Sequence, residues 1–142
     1  MACNINKKIS KIGVSQNIIK KLVKFILDKH KKKDADVSIN FVGDQRMSSL
    51  NYLYRGKKKT TDVLAFSAME GKNIGKKNDL GDVFISVSQV RRQAGEFEVP
   101  YREELLRMVI HGLLHLLGYD HTGKTKAKEM FSIQEKLINN FL

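Results

Sequence analysis

Three of the chain's four histidines fall within one short segment, "HGLLHLLGYDH", residues 111–121. At about 100° per residue, His111 and His115 lie about 40° apart on a helix and one turn along its axis. Two imidazoles at i and i+4 can point at one metal ion. His121 lies too far along a straight helix to join them. Gly118 stands between, and glycine takes the left-handed conformation that ends a helix and turns the chain back. The pattern H-x-x-x-H-x-x-G-x-x-H therefore predicts three neutral imidazoles around one metal, with a coordination position left open. That is the arrangement of a catalytic zinc, whereas structural zinc is usually closed by four protein ligands. Cys3, the only cysteine, is in principle a fourth ligand, but nothing in the sequence places it there. A lone histidine on an apolar helix is usually a satisfied core residue; three at this spacing, with glycine where the turn is needed, point to metal.

The spacing is shared with the metzincin protease motif, H-E-x-x-H-x-x-G-x-x-H. Gly112 stands where the protease carries its glutamate, the general base of peptide hydrolysis. The metal site survives this change and the peptidase mechanism does not. What remains is a metal able to activate water or polarise a phosphoryl oxygen.

A helix must hold the first two histidines, and "YREELLRMVIHGLLHLLG" supplies one after Pro100, with Glu103 and Glu104 near its positive end. Leu106, Val109, Leu113, Leu116 and Leu117 lie opposite the histidines and face the core; Met108 and Leu114 flank them. Ahead of it, "ACNINKKI" reads as an edge strand and "SQNIIKKLVKFILDKHKKK" (15–33) as a helix capped by Ser15. Its end, "KHKKK", is a solvated cationic run, and His30 receives no role there. "DVSINFVG" (36–43) alternates as a strand, and Asp44 can cap the helix "QRMSSLNYLYR". "GKKKTT" is a loop. "DVLAFS" (62–67) is apolar nearly throughout, as a strand covered on both faces would be. A Gly- and Lys-rich loop (69–79), the strand "LGDVFISV" (80–87) and the helix "SQVRRQAGEF" follow, and "TKAKEMFSIQEKLINNFL" closes the chain as a helix. Strands first and helices later give an α+β fold: a small mixed four-stranded sheet packed by about five helices, one domain over 1–142, the histidine-bearing helix central.

The net charge is +11 and the pI about 9.8, a field that attracts polyanions such as RNA, DNA or acidic headgroups. No apolar run approaches the roughly 18–20 residues that span a bilayer, and the first residues lack a continuous apolar signal region, so a cytoplasmic protein is expected. One cysteine makes no internal bridge, in keeping with a reducing compartment. Arg55 precedes "GKKK"; its guanidinium either binds a phosphate bidentately or is one more surface cation. Asp120, next to His121, either takes a hydrogen bond from a ligand imidazole, acts on water, or holds a turn. Asp82 sits in an apolar strand and needs a cation or solvent. Arg91 and Arg92 read as a solvated face. Tyr52, Tyr54 and Phe66 can stack bases, but core packing is expected for most of them.

"HGLLHLLGYDH" resembles the signature of the YbeY family, bacterial metal-dependent endoribonucleases also called rRNA maturation factors. "LNYLYRGKKKTTDVLAFS" (50–67) is similar to the family's helix–loop–strand segment, and "LGDVFIS" (80–86) to its next strand. The resemblance implies one zinc per chain held by His111, His115 and His121, with a catalytic role for Arg55. It implies single-stranded RNA as substrate, above all the 3′ end of small-subunit ribosomal RNA, and a part in ribosome quality control with ribosomal partners and no membrane. Thr60, Ala65 and Ser67 depart from the family's usual Pro, Ser and Pro, which leaves the loop geometry beside Arg55 open. The proton acceptor stays open between Asp120, a water and the substrate's own phosphate. Two rival readings are a degenerate zinc peptidase and a non-catalytic ribosome assembly factor with a structural metal.

Overall fold

A computed structural model describes residues 2–68 and 78–142; the predicted 69–79 loop lies, but for its last two residues, outside them. The described chain runs β1 (Ala2–Lys7), α1 (Gln16–Lys29), β2 (Asp36–Val42), α2 (Asp44–Arg55), β3 (Val63–Ser67), β4 (Asp79–Ser86), α3 (Val87–Glu96), α4 (Tyr101–Leu116) and α5 (Lys124–Phe141). This is the predicted α+β fold. The sheet order is β1-β2-β4-β3, with β1, β2 and β4 parallel and β3 antiparallel to β4.

The alternation of each strand sorts its side chains onto two faces. Cys3, Val37, Ile39, Phe41, Val83 and Ile85 enter the main core, together with the buried faces of α1, α4 and α5. The opposite face carries a smaller cluster, in which Met47 and Leu50 of α2 cover Val42 and Leu64, with Phe66 and Phe84 at its border. β3 is one of the two sheet edges, and only Leu64 of its residues is fully buried. Its continuous apolar run still has a reason. Val63 and Ala65 meet the main core while Leu64 and Phe66 meet the α2 cluster, so both faces touch apolar layers although one edge is unpaired.

Two local expectations are corrected. Helix α1 stops at Lys29 rather than at residue 33. Lys31 takes φ +57° and the Lys32 N–H bonds back to the Leu27 carbonyl at 2.8 Å. Like charges at helical spacing repel, so the lysine run gains nothing by staying helical. Ser15 does cap this helix, accepting from the Asn17 N–H at 3.2 Å. Asp44 is the first residue of α2, and Gly43 occupies the cap position. The Asp44 carboxylate instead accepts from Thr60 (3.0 Å) and Ser86 (2.9 Å) and pairs with both terminal nitrogens of Arg92, at 2.7 and 2.9 Å. Arg92 is therefore tied to α2, and Arg91 lies over the Tyr101 ring, 4.1 Å from its centroid.

Helix α4 is the most enclosed of the helices, with ten of its sixteen residues buried, from Glu104 to Leu116. It packs on β3, β4 and three other helices. It approaches the sheet closely at Gly112, where a Cβ would stand 2.5 Å from Val83 Cγ1. A larger side chain there would have to displace Val83 or shift the helix against the strand.

Candidate metal centre and cavity

The turn predicted at Gly118 forms. Gly118 adopts φ +102°, its N–H bonds to the His115 carbonyl at 3.1 Å, and the Tyr119 N–H reaches the Leu114 carbonyl at 3.0 Å. This pair of bonds is a Schellman termination, which satisfies the last carbonyls and reverses the chain. His121 is thereby brought back beside α4. Ring centroids are 4.8 Å apart for His111–His115, 5.0 Å for His115–His121 and 6.2 Å for His111–His121. One nitrogen from each lies within 4.8 Å of the others, a spread that small side-chain rotations can gather around one ion with bonds of about 2 Å. Among the described residues this is the one group of three metal-capable side chains, and buried Cys3 on β1 is not part of it.

The donor chemistry fits a metal. Desolvation pushes His115 down to about 4, helped by the charges of His111, His121 and Arg55 and opposed by Asp120. A neutral imidazole keeps the lone pair a metal needs. His111 is half-buried, and its Nδ1 lies 2.7 Å from Oε1 of Gln134 on α5. Gln134 Nε2 donates to Glu135 at 3.2 Å, and Glu135 is held by Arg107 at 2.9 Å. The amide is thus oriented with its oxygen toward His111, so Nδ1 carries the hydrogen and Nε2 is the lone pair offered to an ion.

The histidines open into a cavity of about 340 Å³ whose wall includes Arg55, Asn51, Lys57, Lys59, Thr61 and Asp62. Arg55 is exposed at the end of α2, where Gly56 stops the helix with φ +70°. The loop after it is fixed although Thr60 stands in place of the family's proline. Asn51 donates to the Lys59 carbonyl at 3.0 Å, and Thr60 donates to Asp44. A hydrogen bond here does what a fixed φ would do. Asp62 holds the start of β3, accepting from the Val63 N–H at 2.7 Å and from Gln93 at 3.3 Å.

Asp120 lies outside this wall. Its carboxylate accepts from the Thr122 hydroxyl (2.8 Å) and N–H (3.1 Å), and these bonds, the side-chain one first, hold its pKa below the usual range. It holds the turn between His121 and α5. Asp82 is exposed on the α2 side of the sheet, where desolvation and then the charge of Asp79 raise its pKa against hydrogen bonds with Asn40 and Ser38. Tyr52 and Tyr54 are exposed rather than core residues, whereas Phe66 is half-buried.

Two supporting residues gave no usable signal in the sequence. Gln134 sits on the α5 stripe as one polar residue among apolar ones, and a buried amide at such a position is the only hint of its partner. His30 belongs to the lysine run, yet its Nδ1 lies 2.8 Å from the Ile26 carbonyl and its Nε2 3.1 Å from the Tyr119 hydroxyl. It braces the loop that carries His121.

Comparison with known proteins agrees with this layout. The family model described as Endoribonuclease YbeY matches residues 4–142. Endoribonuclease YbeY of Persephonella marina is 39% identical over 137 residues, covering 96% of this chain and 90% of that protein. Endoribonuclease YbeY of a Sulfurihydrogenibium species is also 39% identical, covering 95% of this chain and 89% of its own. The solution structure of a Thermotoga maritima protein superposes with a TM-score of 0.66 at 29% identity, covering 98% of this chain and 88% of the other. Because the match runs through the strands, the Arg55 segment and the histidine helix alike, the chain belongs to the YbeY family of endoribonucleases.

Proposed function

We propose that this chain is a zinc-dependent endoribonuclease specific for single-stranded RNA, acting in the cytoplasm on the 3′ end of ribosomal RNA and in ribosome quality control with small-subunit proteins as partners. One observation carries the reading: Arg55 and the three histidines line the same cavity. His111, His115 and His121 would hold one ion per chain. When bound there, zinc supplies Lewis acidity and a lowered pKa for water. Arg55 steadies the scissile phosphate through a planar, always charged guanidinium. Lys57 and Lys59, on the same wall, hold the strand by unspecific attraction. Asp120 and Asp62 each hold a loop, and in this reading the proton of the attacking oxygen is assigned to a water or to the substrate's phosphate rather than to Asp120. Asp120 then contributes by positioning His121.

Gly112 argues against a peptidase for a reason beyond the missing base. Its α-hydrogen position faces Val83 of the sheet, so a glutamate has no room there.

The test is metal analysis together with cleavage of single-stranded RNA before and after chelation. Cleavage should vanish on chelation and return with zinc. Arg55→Ala should bind zinc normally and cut about 10²–10³-fold more slowly, the usual cost of removing one charge-stabilising group. Full cleavage by metal-free protein would overturn the reading. Normal cleavage by Arg55→Ala with lost ribosome binding would favour the assembly-factor reading for that residue. Asp120→Asn at full zinc occupancy should keep its rate within a few-fold; a large loss would restore Asp120 as the base.

A further inference from the structure

The wall of the metal cavity does not end at Arg55. A second cavity of about 590 Å³ shares Arg55 and Ala65 with the first and lies on the α2 side of β3. Tyr54, Phe66, Phe84, Arg46, Asp79 and Asp82 contribute to it. The three rings form a chain, with Tyr54 4.7 Å from Phe66 and Phe66 5.8 Å from Phe84. Phe66 and Phe84 are half-buried and fix the floor, while Tyr54 remains 60% exposed. Tyr52, Leu53 and Tyr54 make up three of the six exposed large apolar side chains among the described residues, and of these three Tyr54 is the one that lines the cavity.

Charge narrows what the patch can take. Arg46 and Arg55 are cations, and Asp79 and Asp82 bring carboxylates to the same cavity. The arginines can each take a phosphate, while the carboxylates, although Asp79 already accepts from the Gly81 N–H at 3.1 Å and Asp82 is bonded with Asn40 and Ser38, keep acceptor capacity for the N–H donors of a base edge. A ring face beside a phosphate-binding arginine is the composition of a single-strand stacking site.

We propose that the second cavity receives one unpaired nucleobase of the RNA strand whose scissile phosphate lies at Arg55, stacked on Tyr54 with its edge toward the carboxylates. This rests on the nuclease reading above. Tyr54 acts as a binding residue, and the groove from the histidines through Arg55 to Tyr54 gives the enzyme its demand for single strands, since a paired base cannot turn into it.

The experiment measures binding of single-stranded oligoribonucleotides to the full chain, chelated so that the strand stays intact. Wild type, Tyr54→Ala and Tyr54→Phe are compared on strands carrying an abasic site at successive positions. A stacked base is worth enough that Tyr54→Ala should bind about tenfold or more weakly, with Tyr54→Phe within about twofold of wild type. One abasic position near the cleavage site should weaken wild type by the same factor and leave Tyr54→Ala unaffected. Unchanged melting of Tyr54→Ala controls for folding. Wild-type affinity in Tyr54→Ala overturns the assignment and leaves the patch to a protein partner. So does an abasic series that acts alike on both proteins. If wild type with zinc cuts no RNA, the nuclease reading itself fails; if it cuts RNA while Tyr54→Ala binds normally, only this inference does.

Discussion

The orientation of one imidazole depends on a residue of the next helix, 23 positions along the chain. Gln134 can accept from His111 only because its amide nitrogen is engaged by Glu135, which Arg107 holds in turn. Partners of this kind fix the tautomer of a metal ligand, and losing one typically costs about 10–100-fold in metal affinity. Gln134→Leu keeps the volume and removes the acceptor. It should lower zinc affinity by about that factor, measured by competition with a chromogenic chelator. Affinity equal to wild type would show that His111 is oriented by other contacts.

At the scale of elements, the seating of α4 on β4 decides whether the triad faces its cavity. Gly112 and Val83 make that contact. Gly112→Ala should destabilise by overpacking, which costs about 1–3 kcal/mol, less roughly 1 kcal/mol that alanine gains as a helix former. In denaturant melts, Gly112→Ala combined with Val83→Ala should be more stable than the sum of the two single changes predicts. Strict additivity would mean that the helix and sheet do not meet as tightly as described. A second tie, Asp44, joins α2, the loop at Thr60 and the end of β4. Hydrogen bonds from Arg92 lead in holding its carboxyl below the usual range, against desolvation, with Ser86 and Thr60 adding to them. A depressed carboxyl stabilises the fold above its unfolded value, about pH 3.9, and the contribution is lost as pH falls through the lower folded value. The stability gap between wild type and Asp44→Asn should therefore be constant near neutrality and close in acid. A gap that widened in acid would reverse the sign and dismiss the tie.

For the whole molecule, the net charge of +11 governs encounter rather than chemistry. RNA affinity should fall steeply with salt, with a slope of roughly −0.7 per phosphate neutralised on a single strand. Replacing Lys57, Lys58 and Lys59 by alanine should flatten that slope by about two. Tyr54→Ala should weaken binding and leave the slope unchanged, since stacking releases no counterions. Slopes measured by fluorescence titration across salt concentrations separate these two kinds of contact. A shallower slope in Tyr54→Ala would mean that the residue acts through the neighbouring arginines.

Local order was legible because it is written in local terms. Periodicity marked most helices and β2, a continuous apolar run marked β3, Ser15 and Gly118 marked a start and a stop, and the spacing of His111, His115 and His121 marked a group able to hold a metal. The resemblance of residues 50–67 and 80–86 to the family directed attention to Arg55. Other features depend on neighbours that are distant in sequence. Gly112 reads as a missing base until Val83 is seen beneath it. Asp44 reads as a cap until Arg92 reaches it, and Tyr54 as core until the edge of the sheet leaves it exposed. A helical pattern states which residues share a face, and only packing decides what that face meets.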